Sequence, residues 1–246
     1  MSEQTSAFRT YPQDEYTITD DALKKSRFEV DYFAVRSRGE TTRLLLEYVG
    51  ANYISRAPVN WPAGKKDTPF GMLPVLIHHK SDGSVFKVSE IIAYMRYLAS
   101  LFGLRGSNLE EDAILDSCFS CANDSILMAM VLGIWRSSDP KSKENIDNTF
   151  EKMTLFFDGM ERYLVKNGSN GYLLGQKTTY PEFAWYDWMD YFYEEHADHM
   201  NALVSETTRP ALYKMYKRLA SNPRLRAYVA GGRWEFRSAP ATQAAT

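Results

Sequence analysis

The stretch FEVDYFAVRSRGETTRLLLEYVG, residues 28–50, decides the fold because its side-chain pattern changes partway along. Every second residue from Phe28 to Ala34 is apolar or aromatic, which predicts a β-strand. Residues 40–48 contain no helix breaker, and Gly50 follows them as a stop signal, which predicts a helix. The fold therefore opens with a strand that leads directly into a helix.

The next fifty residues continue this alternation of strands and helices. Residues 52–59 are predicted to be extended, and MLPVLIHH (72–79) and VFKV (85–88) flank a glycine-containing turn at 81–84, which predicts a hairpin. Residues 89–102 have apolar side chains near a 3.6-residue period, which predicts a helix. Strand, helix, strand, hairpin and helix within so short a span predict a small α/β unit with a mixed sheet.

The second half of the chain has a different pattern. Residues 103–108 are a linker by composition, and from 109 onward we find only long helical stretches, interrupted at 137–140, 167–171 and 221–223. Thr179 and Glu182 form a capping box that predicts the start of a buried helix. The fold class is therefore α/β plus all-α. We predict a mobile extension at residues 1–26 and a tail at 238–246.

Composition excludes several classes of protein. The 246 residues are 44% hydrophobic and 24% charged, which is typical of a packed globular protein. With 29 basic against 31 acidic residues there is no positive excess for nucleic acid. The longest uncharged apolar run, residues 126–135, is half of what a membrane span needs, so we expect no membrane. The N-terminus has no signal-peptide pattern and the chain has only two cysteines, which favours the cytoplasm.

Several short segments follow one another in the order and at the intervals of a known family. They are YFxxRxRxE from Tyr32, WPxxK from Trp61, PFGxLPVL from Pro69, RYLA from Arg96, an aspartate at 116, and TYPE from Thr179. Over about residues 28–234 this pattern resembles the cytosolic glutathione transferases, and among them the sigma-like group that includes the haematopoietic prostaglandin D synthases. The resemblance implies an N-terminal thioredoxin-like domain (27–102) followed by an all-helical C-terminal domain (109–237), and a homodimer.

The resemblance also assigns roles to individual residues. It implies that Tyr32 and Arg38 are catalytic and stabilise the thiolate of glutathione, the co-substrate. The implied glutathione-binding residues are Trp61 and Lys65 for the glycyl carboxylate, Met72, Leu73 and Pro74 with a cis bond between the last two, Glu90 and Ile91 for the γ-glutamyl group, and Asp116 from across the dimer interface.

Three residues depart from the family pattern. Ile91 stands where the family has a serine or threonine that binds the γ-glutamyl carboxylate, and Ser89 comes one residue too early to replace it. The main-chain N–H of Ile91 remains available, because it lies at a predicted helix N-terminus. Met72 replaces a polar residue and Ser37 a glycine. These changes predict weakened glutathione binding.

Two functional hypotheses follow. The first is a glutathione transferase that attacks hydrophobic electrophiles or reduces a peroxide, with a prostaglandin-type isomerase as a narrower version. The second is a ligand-binding or structural protein of the same fold, like the lens S-crystallins, with a weakened glutathione site.

Other motifs are better explained by packing. Cys118 and Cys121 have a redox spacing, and His196 and His199 could complete a zinc set with them, but both pairs lie in helical stretches, so we expect core cysteines and no metal. The aromatic cluster at residues 180–193 could line a ligand pocket, but at helical spacing it indicates core.

Overall fold

The computed structural model describes residues 16–58, 60–61, 63–136, 138–139 and 142–233. The predicted extension up to residue 15, the tail at 238–246 and the end of the predicted helical domain at 234–237 lie outside the described residues, as does Pro62 of the Trp61 motif.

The first half of the chain forms a mixed sheet with helices. Its elements are α1 (Asp21–Lys25), β1 (Arg27–Asp31), α2 (Ser37–Val49), β2 (Tyr53–Arg56), β3 (Val75–His79), β4 (Val85–Ser89) and α3 (Ile91–Leu101). The strand order is β2-β1-β3-β4, with β1 parallel to β2 and antiparallel to β3, which is antiparallel to β4. This arrangement confirms the predicted α/β unit and its hairpin.

Two element boundaries differ from the prediction. β1 ends at Asp31, so Tyr32 lies just beyond the strand and not within it. The reason is that the carbonyls of Phe33 and Val35 accept hydrogen bonds from the Arg43 guanidinium, at 3.0 and 2.9 Å, where strand pairing would otherwise continue. α3 begins at Ile91 and not at 89, because Ser89 still pairs with Val75 in the hairpin.

The second half is helical, as predicted. Its elements are α4 (Leu109–Ser120), α5 (Leu127–Met130), α6 (Lys143–Lys166), α7 (Pro181–Glu195), α8 (Ala197–Leu203), α9 (Pro210–Ser221) and α10 (Pro223–Ala230). In the described residues after 108, strand-like pairing is limited to one bridge between Leu174 and Lys177. The structure therefore has a thioredoxin-like part followed by an all-helical part.

Wide π-helical turns at Cys121–Ile126 and Val131–Trp135 join α4 and α5 into one helical stretch, Leu109–Trp135. By length and composition alone this stretch could cross a membrane. The sequence analysis did not indicate this, because it considered only the shorter uncharged run at residues 126–135. In the structure it packs against α6 and α7, and a Cβ on Gly133 would lie 2.1 Å from Oγ1 of Thr149. One face of the stretch is therefore packed against the rest of the helical half, while Leu132 and Trp135 on it are exposed.

Part of the predicted extension is packed against the first half. The Tyr16 hydroxyl donates to the carbonyl of Phe102 at 2.6 Å, and its ring lies 5.9 Å from that of Tyr48. Asp20 caps α1 by accepting from the N–H groups of Ala22 and Leu23. Residues 16–25 thus have defined contacts with the core.

α7 carries the predicted aromatic cluster into the core. The Glu182 carboxylate accepts from the N–H and the hydroxyl of Thr179, at 3.0 and 2.9 Å, so the carboxylate half of the capping box is confirmed. Among the cluster's members Phe183, Trp185 and Phe192 are fully buried, as a core helix requires.

Candidate functional site

Tyr32 lies at the carboxyl end of β1, with its ring pressed against the first turns of α2. Only 9% of the residue is exposed, and a Cβ on Gly39 would lie 2.3 Å from Cδ1 of the ring. The Arg43 guanidinium carbon lies 5.9 Å from the ring centre. Because a side chain at residue 39 would displace the ring, the glycine there fixes where the Tyr32 phenol can lie.

Arg38 lies in the first turn of α2 and is partly buried. Within the part of the chain that the structure describes, its guanidinium makes no hydrogen bond and no ion pair. A guanidinium in this position is available to an anion, and burial makes such a partner favourable because it penalises an unpaired charge. Arg38 and Tyr32 therefore form the candidate anion-binding part of the site.

The loop between Tyr32 and Arg38 is held by buried charges that the sequence analysis missed. Arg43 is fully buried and, besides the two loop carbonyls, binds Ser55 through Nε at 2.9 Å and Glu40 through Nη1 at 3.2 Å. Glu40 is also fully buried, and it accepts from the hydroxyl of Tyr228 at 3.0 Å and from Arg233 at 2.8 Å. The sequence signal that could have revealed these buried charges is the pair Glu40 and Arg43, which lie three residues apart in a helix whose other residues are mostly buried.

Arg36 connects the same loop to α7. Its Nε donates to Asp187 at 3.1 Å, its Nη2 to the carbonyl of Asp187 at 2.7 Å, and its Nη1 to Glu194 at 3.0 Å. Arg36 and Arg233 share the carboxylate of Asp190. Burial raises the pKa of Asp187, and the charge of Arg36 opposes that rise. The loop that leads from Tyr32 to Arg38 is thus anchored to the helical half as well as to α2.

Trp61 and Lys65, to which the resemblance assigns the glycyl carboxylate, lie beside this loop. Lys65 belongs to a 3-10 turn (Ala63–Asp67), and its Nζ lies 5.8 Å from the Trp61 ring centre. The Trp61 ring in turn meets Phe33 edge to face at 6.1 Å. The structure therefore brings the indole and the ammonium near the end of β1.

The peptide bond between Leu73 and Pro74 is cis, which confirms the expectation from the resemblance. Val75, the next residue, pairs with Ser89 at the end of β4. This pairing places the cis peptide bond beside the start of α3. Met72, just before this peptide bond, is 53% exposed.

The start of α3 presents main-chain groups and no accessible hydroxyl. Glu90 adopts a φ of 67°, a left-handed conformation, and directly precedes the helix. Ile91 is 4% exposed and belongs to the hydrophobic core. The Ser89 hydroxyl is buried and has no hydrogen-bond partner among the described residues. Neither residue thus offers a hydroxyl to a ligand, whereas the first N–H groups of α3 can bind an anion.

Asp116 pairs within its own chain. Its carboxylate accepts from the hydroxyl of Tyr180 and lies 3.2 Å from Nε of Arg96. The side chain is nevertheless 29% exposed, so it has a face toward solvent.

The burial of Cys118 fits the packing interpretation of the cysteine pair. Both cysteines are free, and burial raises the pKa of Cys118 to about 12, which makes its thiol unreactive. Among the described residues no group of three or more His, Cys, Asp or Glu side chains could hold a metal ion.

The architecture and this arrangement of residues define a glutathione transferase fold, and comparison with known proteins places the chain in that family. The family model for the glutathione S-transferase C-terminal domain matches residues 126–232. The chain is 30% identical to "Probable glutathione S-transferase 6" of Caenorhabditis elegans over 213 residues, which cover 82% of this chain and 95% of the relative. It is 28% identical to the haematopoietic prostaglandin D synthase of Gallus gallus, over 64% of this chain and 75% of that one.

Solved structures show the same fold. The sigma-class glutathione S-transferase of Fasciola hepatica superposes with a TM-score of 0.68 at 22% identity, over 88% of this chain and 99% of that one. The chain belongs to the glutathione S-transferase family, and it shares its fold with this sigma-class member.

Proposed function

We propose that the protein is a glutathione transferase in which Tyr32 and Arg38 stabilise the thiolate of glutathione for attack on hydrophobic electrophiles. The observation that carries this proposal is Arg38, a partly buried guanidinium without a carboxylate partner in the described residues, on the helix against which the Tyr32 ring packs. A phenol and a guanidinium are both donors, and a thiolate is the anion that the family's reaction requires.

The two donors act mainly by positioning. A thiol of pKa near 8.5 is only about 3% ionised at pH 7, and lowering its pKa by two units increases the ionised fraction roughly 25-fold. Intrinsic nucleophilicity falls about 8-fold over the same two units, so the net gain is roughly threefold. Most of the rate enhancement must therefore come from holding the thiolate beside its electrophile.

The other residues have roles in binding glutathione. Trp61 and Lys65 hold the glycyl carboxylate, and Leu73, before the cis bond to Pro74, pairs its main chain with the cysteinyl unit as an added strand does. Glu90 faces the γ-glutamyl ammonium and the N–H groups of α3 face its carboxylate, with Ile91 adding packing only. Met72 borders this end with an exposed side chain.

Asp116 completes the site in a homodimer. Its solvent-facing carboxylate is free to meet the γ-glutamyl ammonium bound by a second subunit, while Arg96 and Tyr180 hold it in place. In this arrangement residues 27–102 bind glutathione, residues 103–108 form the linker, and residues 109–237 supply the second substrate's pocket. Free cysteines and the absence of a disulfide among the described residues suit a cytoplasmic enzyme.

The second substrate is hydrophobic in this proposal. Phe33 and Val35, on the loop after Tyr32, and Trp135, close to Tyr191 and Arg36, expose apolar surface on the same side of α2 and α7. A peroxide could be reduced at the same thiolate, and an isomerase would use it in the same position.

One observation favours the second candidate function, a binding or structural protein with a weakened glutathione site. The γ-glutamyl end has no accessible hydroxyl, because Ile91 is buried in the core and the hydroxyl of Ser89 is buried as well. Loss of a hydrogen bond to a charged group costs about 1.5–3 kcal/mol, or roughly 10- to 150-fold in affinity.

Ultraviolet absorbance of the thiolate, recorded against pH with excess protein, distinguishes the two functions. We expect a thiolate band that titrates at least one unit below free glutathione, and Tyr32→Phe should return it toward the free value and reduce turnover at least tenfold. Retention on immobilised glutathione without a shifted band would support the binding role instead. Unchanged turnover in Tyr32→Phe would contradict the proposal.

A further inference from the structure

Arg233, which follows α10, reaches back to the groups that support the loop after Tyr32. Its side chain is 10% exposed, and its Nη1 donates to the Glu40 carboxylate on α2 at 2.8 Å. Its Nη2 donates to the Asp190 carboxylate on α7. One guanidinium thus joins two carboxylates, one from each half of the molecule.

The backbone turns sharply to bring this guanidinium into place. Gly232 has a φ of 84°, which bends the chain after the end of α10. Arg233 itself has a φ of 57°, a left-handed conformation that is uncommon for a residue with a side chain. Such a conformation persists only where the surrounding contacts hold it. The ion pairs of Arg233 with Glu40 and Asp190 supply contacts of that kind.

The first route from this guanidinium to the loop passes through Glu40. Oε2 of Glu40 accepts from Nη1 of Arg43 at 3.2 Å. The Arg43 guanidinium in turn donates to the carbonyls of Val35 and Phe33, at 2.9 and 3.0 Å. Its carbon also lies 5.9 Å from the centre of the Tyr32 ring. Because Glu40 and Arg43 are fully buried, water cannot replace the bond between them.

The second route passes through Asp190. Its Oδ2 binds Nη2 of Arg233 and, at 3.2 Å, Nη2 of Arg36. Arg36 belongs to the loop and has further carboxylate partners on α7, so the bond through Asp190 is one part of its anchor. Both routes therefore begin at Arg233 and end on residues 33–36, which lie between the two proposed thiolate donors.

We propose that Arg233 is a positioning residue for the thiolate site of the proposed function. By holding two carboxylates it fixes the loop between Tyr32 and Arg38, and so the direction from which both donors reach the sulfur. Its charge also balances those carboxylates, and its loss would leave excess negative charge behind a site that must stabilise an anion. The inference rests on the proposed function, since it requires a thiolate at this site.

The test combines the pH titration of the bound thiolate band with steady-state kinetics, in the full-length protein with glutathione. Arg233→Met removes the charge and both hydrogen bonds and keeps an unbranched side chain. We expect it to raise the pKa of the bound thiol by about 0.5 unit, which leaves roughly threefold less thiolate below that pKa. Because the donors are also misdirected, kcat should fall about fivefold or more while the KM for glutathione stays within about twofold.

Arg233→Lys separates charge from geometry. A lysine keeps the positive charge, but its ammonium is a point charge and lacks the fork that reaches two carboxylates at once. It should therefore recover part of the thiolate shift and part of the loss in kcat. If Arg233→Met does not fold, Arg233→Lys decides by the same measurements, since it should still titrate above the wild type.

Arg209→Met is the matched control. The Arg209 side chain is 12% exposed, and its guanidinium binds Asp158 at 2.7 Å, which joins the start of α9 to α6. Both methionine variants should lower the melting temperature, but only Arg233→Met should change the thiolate titration and kcat. The inference is overturned if Arg233→Met titrates like the wild type, or if Arg209→Met shifts the titration equally. Absence of any shifted band in the wild type would overturn the proposed function itself, and this inference with it.

Discussion

The two ends of the proposed glutathione site are built in different ways. At the thiol end, Tyr32 and Arg38 rest on buried polar groups, Arg43 and Glu40, whose partners come from the loop, β2, α10 and Arg233. At the γ-glutamyl end, Ile91 supplies a buried apolar side chain in place of a hydroxyl, and in the proposed function recognition depends on the main chain of α3. In the proposed function, the thiol end therefore depends on long-range polar support, whereas the carboxylate relies on a helix N-terminus.

The largest effect is expected from breaking the support of the thiol end. Glu40→Ala leaves Arg43 and Arg233 without their shared carboxylate in a buried site, and removal of one member of such a network costs about 3–5 kcal/mol. At roughly 2–4 °C per kcal/mol for a chain of this size, the melting temperature should fall by at least about 6 °C.

Thermal denaturation followed by circular dichroism measures this change. Asp21→Ala is the control, because it breaks an ion pair with Lys24 in which both side chains are more than half exposed. We expect it to leave the melting temperature almost unchanged. Equal, small shifts in the two variants would show that the buried network does not support the thiol end.

A medium effect is expected from giving the γ-glutamyl end the hydroxyl it lacks. Ile91→Ser should tighten glutathione binding by roughly 10-fold or more, because a hydrogen bond to a charged group contributes about 1.5–3 kcal/mol. Ile91→Ala is the matched control, since it loses the same core packing of a residue that is 4% exposed but gains no hydroxyl. Calorimetric titration with glutathione compares the two variants, and equal affinities would show that residue 91 does not face the ligand.

The sequence predicted local structure well because the signals for it are local. Gly50, with a φ of 70°, ends α2 where the pattern placed its stop, and the turn at 81–84 joins β3 and β4 in the predicted hairpin. The cis bond at Leu73–Pro74 followed from the resemblance and is present.

What the sequence could not show depends on contacts between distant residues. Glu40 and Arg43 match the pattern of a solvent-exposed helix pair. The contacts of Glu40 with Tyr228 and Arg233, almost two hundred residues away, explain why the pair is buried instead. The end of β1 was misplaced for a different reason: the Arg43 guanidinium, and not a strand, takes the carbonyls of Phe33 and Val35, and a side-chain contact of this kind leaves no sign in the strand pattern. For the binding residues themselves, the structure gives positions, and their roles await the tests above.

The smallest effect concerns the anchoring of α3 to the sheet. His78 on β3 is buried and stacked on Phe28 at 4.3 Å, and its Nδ1 is bonded to the hydroxyl of Tyr97 on α3. Burial lowers the pKa of His78, Lys80 and His79 lower it further, and Asp82 opposes them. The histidine therefore stays neutral in the folded protein at a pH where the unfolded chain, with its ordinary pKa near 6.5, already binds a proton.

The sign of the pH dependence follows from this difference. The stabilising contribution of His78 is complete above about pH 6.5 and is lost as the pH falls toward the lowered pKa, because the unfolded state binds the additional proton.

The double variant His78→Phe with Tyr97→Phe removes both polar groups, so no buried donor remains unpaired. Between pH 7 and 5 its free energy of unfolding should fall less steeply than that of the wild type, by no more than about 1.4 kcal/mol per pH unit, the limit for one proton. Urea denaturation at each pH measures the slopes. His196, whose pKa burial also lowers, accounts for part of the pH dependence that remains in the double variant. Identical slopes would mean that His78 does not titrate on unfolding and that the anchor of α3 is insensitive to pH, like the guanidinium groups that support the thiol end.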